Sequence, residues 1–68
     1  MHERKEIHEA FLRQTLQTLG VEDAVYVTEN SYDGGYEVRV GSCDFFVDYE
    51  TADEEDAEYI KKQLSLCI

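Results

Sequence analysis

Residues 36–49 (YEVRVGSCDFFVDY) constrain this chain more than any other stretch. Tyr36, Val38 and Val40 alternate with Glu37 and Arg39. Gly41-Ser42 follows, and then Cys43, Phe45, Val47 and Tyr49 alternate with Asp44, Phe46 and Asp48. A period of two places successive side chains on opposite faces of a strand. A two-residue link with glycine at its first central position suits a type II′ turn. The stretch therefore reads as an antiparallel hairpin with one apolar face. Its register follows from the turn: Arg39 lies opposite Asp44, and Glu37 opposite Phe46.

The rest of the chain supplies what the apolar face needs. Residues 24–30 (AVYVTEN) read as a further strand with Val25 and Val27 on one face, and Asp33-Gly34-Gly35 as a turn. Over residues 3–19, Ile7, Phe11, Leu12, Leu16 and Leu19 gather on one side at 100° per residue, and Gly20 stands where a helix end wants positive φ. Thr51-Ala52-Asp53-Glu54 matches a capping box, and Ala57, Ile60, Leu64 and Cys67 form the stripe of a second helix. The fold class expected is α+β, in the order α-β-β-β-α: one domain over residues 1–68, a three-stranded antiparallel meander with both helices on one face.

Charge is segregated along this fold. Residues 22–58 hold thirteen of the sixteen carboxylates against one base, Arg39, whereas residues 1–21 balance and residues 59–68 add Lys61 and Lys62. A net charge of −10 repels nucleic acid and anionic membranes and favours a basic protein partner, or serves solubility alone. Hydrophobic residues make up 43%, too many for a disordered acidic chain, so the charge belongs to a folded surface.

Signals for chemistry are sparse. Cys43 and Cys67 lack C-x-x-C spacing, and MHERKEIHEAFL has charges where a signal peptide needs an apolar run, so none is expected there. The expectation is a bacterial cytoplasmic protein with both thiols reduced. A zinc site from His8, Cys43 and Cys67 offers only three dispersed ligands, and two small core residues with one helix histidine explain them more simply. The run Asp53–Asp56 lacks the ligand alternation of a calcium loop. No nucleophile–base pair stands at a recognisable spacing, so neither an enzyme nor a cofactor is expected.

With helices on the valine face, the other face of the sheet is open. It presents Glu37, Arg39, Asp44, Phe46 and Asp48, and an even-numbered turn near Asp33 would add Tyr26, Thr28 and Asn30 from the first strand. An outward Phe46 between two aspartates has the make-up of an interface. Candidate partner-binding residues are Tyr26, Tyr32, Asp33, Glu37, Asp44, Phe46, Asp48, Glu50, Asp53, Glu54, Glu55 and Asp56. Their carboxylates suit arginines and lysines that normally grip phosphates. Equally, Phe46 and Tyr26 suit a homodimer or adaptor interface.

The element order resembles a double-stranded-RNA-binding domain. The lysine cluster which that family carries at the start of its second helix is replaced here by Asp53-Glu54-Glu55-Asp56, of opposite sign. The acidic turn 30–35, strands 36–40 and 43–49 and the acidic helix start also resemble, in layout alone, small acidic phage anti-CRISPR proteins, some of which act as nucleic-acid mimics. That resemblance implies a non-enzymatic inhibitor seated on the basic nucleic-acid surface of a bacterial defence effector, such as a CRISPR complex. No residue motif accompanies it. The alternative is a small regulatory adaptor or antitoxin-like protein working through Phe46 and Tyr26.

Overall fold

The computed structural model describes residues 4–67. Helix α1 (Arg4–Thr18) leads into strands β1 (Val25–Asn30), β2 (Gly35–Val40) and β3 (Cys43–Asp48), followed by helices α2 (Tyr49–Asp53) and α3 (Ala57–Leu66). The strands form one antiparallel sheet in the order β1-β2-β3. The fold is the expected α+β meander. The second helix, however, is two.

Register follows the Gly41-Ser42 turn. Arg39 pairs with Asp44 and Glu37 with Phe46, while Tyr26 and Thr28 face Arg39 and Glu37 from β1. Gly41 has φ +60, as a type II′ turn needs at that position. The inner rows are then Val25–Val40–Cys43, Val27–Val38–Phe45 and Glu29–Tyr36–Val47. Val38, Val40, Tyr36 and Val47 are buried with Leu12, Leu16, Ala52 and Ile60 in one core. Burial of each such aliphatic side chain contributes about 1.5–3 kcal/mol.

Helix α1 ends in a Schellman motif: Gly20 (φ +87) donates to the Gln17 carbonyl and Val21 to the Leu16 carbonyl. Its buried residues are His8, Leu12 and Leu16, one every four positions. The expected stripe was turned too far. Ile7 is 53% exposed and Leu19 is exposed, while His8 takes the inward place.

The break after α2 repeats the Schellman hydrogen bonds. Asp56 donates to the Thr51 carbonyl and Glu55 to the Ala52 carbonyl. Here the left-handed position belongs to Glu55, at φ +52, where glycine is usual. The capping box at Thr51 is not used. Asp48 caps α2 by accepting from the Thr51 N–H at 2.8 Å, and Asp56 caps α3 by accepting from Tyr59 N–H at 3.2 Å. Tyr49, expected in the third strand, opens α2, and Ala57, expected inside, is exposed. Because a side chain in the left-handed region costs about 1–2 kcal/mol, Glu55→Gly is expected to stabilise the fold by about 1 kcal/mol in urea melts. A destabilised Glu55→Gly variant would show that this corner is held by the side chain.

Cys43 and Cys67 are joined in a disulfide, with Cα atoms 5.7 Å apart. This corrects the expectation of two thiols. Cys43 opens β3 on the inner face, and the last turn of α3 ends over it.

Candidate protein-binding face

The open side of the sheet is built from three cross-strand rows: Tyr26–Arg39–Asp44, Thr28–Glu37–Phe46 and Asn30–Gly35–Asp48. Strand alternation turns all of them away from the core. The first two rows line a shallow depression of about 710 Å³, bordered by Tyr26, Thr28, Glu37, Arg39, Asp44 and Phe46. Tyr26 is 62% exposed. Among the described residues, Arg39 makes no ion pair within 4.0 Å, although Asp44 and Glu37 flank it.

Phe46 is less available than expected. It is half-buried, and a Cβ added to Gly35 would meet its ring at 2.6 Å and the Val47 carbonyl oxygen at 2.3 Å. The ring lies over the bare glycine backbone, which accounts for an aromatic on the outer face. Tyr59 donates to the Phe46 carbonyl at 2.7 Å and secures the strand there. Gly35→Ala forces the backbone apart and is expected to cost about 1–3 kcal/mol. A chemical-denaturation curve for Gly35→Ala within error of the parent would show that Phe46 is not held by this glycine.

The other predicted residues gather at one end of the sheet. Asn30 and Asp48 mark that end, and the Tyr49 N–H donates to the Gly34 carbonyl at 2.9 Å, tying the β1–β2 loop to the start of α2. In that loop Tyr32 is fully exposed, and Asp33 accepts from Asn30 Nδ2 at 2.9 Å. Glu50, Glu54 and Glu55 are exposed along the α2–α3 corner.

Three of the predicted acids have structural work. Asp48 and Asp56 are helix caps. Hydrogen bonds from the Thr51 side chain and backbone hold the Asp48 carboxyl below the usual carboxylate range. Asp53 closes α2 on the far side of the molecule's polar core. Its Oδ1 accepts from Arg4 Nε at 3.1 Å and meets His8 Nε2 at 2.6 Å, and its Oδ2 takes Arg4 Nη2. Arg4, then His8, hold the Asp53 carboxyl below its ordinary range. These three are withdrawn from the partner-binding set as free charges.

Apolar periodicity gives no sign of the polar core that His8, Tyr36, Tyr49 and Asp53 form. His8 Nδ1 meets the Tyr36 hydroxyl at 2.7 Å, and both residues are 1% exposed. The Tyr49 ring stacks near His8, carries the Arg4 guanidinium 5.4 Å from its centroid, and donates its hydroxyl to Glu29 Oε2 at 2.6 Å. An ionised Asp53 only accepts, so Nε2 carries a proton and Nδ1 accepts from Tyr36 in the neutral ring. Burial pushes the Tyr36 phenol up to about 12. With that hydroxyl sealed inside, the array joins α1, β2 and α2. Among the described residues no group of three or more His, Cys, Asp and Glu is placed to hold a metal ion, and no helix is long and apolar enough to cross a membrane.

The fold and face define a small acidic α+β domain with an open sheet surface. No family model, curated protein or solved structure matches the chain.

Proposed function

We propose that this protein is a non-enzymatic inhibitor that occupies the basic, nucleic-acid-binding surface of another protein. The observation that carries this reading is unneutralised charge on a fixed scaffold. Of the thirteen carboxylates between Glu22 and Glu58, Asp53 alone has a cation within 4.0 Å among the described residues. Glu37 and Asp44 stand on the open face, and Asp33, Glu50, Glu54 and Glu55 supply acid from the loop and corner. A bacterial defence effector, a CRISPR complex among them, is the target class that the layout resemblance brings forward. The protein itself repels nucleic acid and anionic membranes.

The adaptor reading centred on Phe46 and Tyr26 is weaker on this geometry, because Phe46 covers Gly35 and Tyr26 is the one large apolar side chain left exposed on that face.

Affinity capture from bacterial lysate, followed by competition with nucleic acid, tests the proposal. Binding to the captured basic protein is expected to weaken at least about tenfold from low to high salt, mostly through association rate. A Glu37→Lys/Asp44→Lys variant is expected to lose most of the remaining affinity. Salt-independent binding, or binding undisturbed by excess nucleic acid, would falsify it.

A further inference from the structure

The two edges of the sheet are treated differently by the rest of the molecule. The two-residue turn makes Val40 and Cys43 the closing pair, which exchanges both main-chain hydrogen bonds. Alternation then turns the N–H and C=O groups of Asp44 and Phe46 toward the free edge of β3. On β1 it turns those of Val25, Val27 and Glu29 outward. Two side chains mark the same directions: Tyr59 bonds the Phe46 carbonyl, and Arg13 Nη1 donates to the Val25 carbonyl at 3.0 Å.

The β3 edge is guarded by Tyr59 from α3 and flanked by Asp44 and Asp48. The β1 edge is covered at one main-chain group only, the Val25 carbonyl that takes Arg13 Nη1. Its sequence, VYVTEN, is rich in strand-forming residues, holds no proline or lysine, and runs through an unbroken register without a bulge. Among the described residues no side chain bonds the outward main-chain groups of Val27 or Glu29. Edges left in this state are templates for another strand.

We propose that β1 pairs antiparallel with β1 of a second copy across a two-fold axis, joining two meanders into one continuous sheet. Val27 lies opposite Val27 of the second copy, and Val25 opposite Glu29. This register uses the outward groups of Val27 and Glu29 and the Val25 N–H on both chains, with the Val25 carbonyl accepting through the lone pair that Arg13 leaves open, and it keeps both sets of helices on one face. It also sets Glu29 of each copy beside the Val25 carbonyl of the other, where Arg13 is held. Arg13 has no ion pair in its own chain among the described residues, and Glu29 Oε2 holds only the Tyr49 hydroxyl. The contact is thus self-complementary in charge, as a two-fold interface requires. Tyr26 and Thr28 meet across the seam on the outer side, so the open face doubles.

Sedimentation of the intact chain from micromolar to hundreds of micromolar concentration tests this, together with amide hydrogen exchange. A dimer is expected, strengthened by salt because screening relieves repulsion between two −10 chains. That response is opposite to the one expected for a basic partner, so the two proposals fail separately. The Val27 and Glu29 amides are expected to gain protection as concentration rises. Val27→Pro removes the central donor at an edge position where proline is tolerated, and it is expected to yield a folded monomer. Arg13→Glu is expected to weaken the dimer roughly tenfold, and Arg13→Glu/Glu29→Arg to restore it. A monomer throughout the range overturns the proposal, as does a dimer whose Val27 and Glu29 amides exchange freely. If Val27→Pro fails to fold, the amide protection and the charge swap decide.

Discussion

Opening the Cys43–Cys67 disulfide is expected to lower the melting temperature by roughly 15–25 °C. The bond closes a loop with a sequence separation of 24. On the chain-entropy account, a loop of that length contributes about 3.5 kcal/mol at 25 °C, and each kcal/mol moves a domain of this size by about 4–8 °C. What remains to hold α3 is Ile60 in the core, Leu64 partly buried and the Tyr59 hydrogen bond to Phe46. These lie in the first two turns of the helix, so the last turn frays first. Calorimetry on the oxidised protein and on Cys43→Ser/Cys67→Ser measures the difference. A fall of less than about 5 °C would mean that the bond adds little to packing already complete. The result also bears on where the protein works. Disulfides persist in oxidising compartments and are rare in the cytosol, so beside an intracellular effector the Cys43–Cys67 pair is expected to be reduced. A chain of 68 residues has a total stability of about 3–10 kcal/mol. In a reducing compartment, losing about 3.5 kcal/mol would leave it marginal.

The strand half of the molecule was legible because a period of two and a glycine turn admit one register. Tyr26, Glu37, Arg39 and Asp44 therefore stand where the pattern puts them. The helical half is less legible, because periodicity counts apolar residues and carries nothing about where a hydroxyl finds its partner. Tyr36, inward on a central strand, needs a hydrogen-bond partner. His8 lies four and eight positions from Leu12 and Leu16 and supplies it, at the expense of Ile7. The break at Glu54–Asp56 was hidden because nothing in an acidic run marks Glu55 as left-handed. A glycine there would have announced it. Phe46 has the pattern of an interface anchor because its cover over Gly35 lies across two strands and leaves no trace in either one alone. Two signals for the disulfide were present: both cysteines fell on inward positions, one at a strand start and one at a helix end. The rarity of disulfides in a bacterial cytosol points the other way.

His8→Ala is expected to cost about 3–5 kcal/mol, enough to unfold much of the population. It opens a cavity between α1 and the sheet and strands the Tyr36 hydroxyl in the core. Tyr36→Phe is the milder test, about 1–3 kcal/mol, because it leaves His8 Nδ1 buried without a donor. His8→Leu/Tyr36→Phe removes both polar groups at once and is expected to cost clearly less than the sum of the single variants. Additive losses would show that the two groups are not coupled. Proton linkage gives an independent check at each end of the array. The Asp53 carboxyl is held below its ordinary 3.8 by Arg4 and His8, so its contribution is present above about pH 4 and is lost as pH falls through the lowered value. Tyr36 runs the other way. Its phenol is raised by burial from 10.0 to about 12, so its contribution is complete below pH 10 and is lost between pH 10 and 12. Asp53→Asn is therefore expected to flatten the acid limb of the stability profile, and Tyr36→Phe the alkaline limb. A single array that stabilises the fold from both ends explains why one buried histidine sits where the helix pattern called for isoleucine.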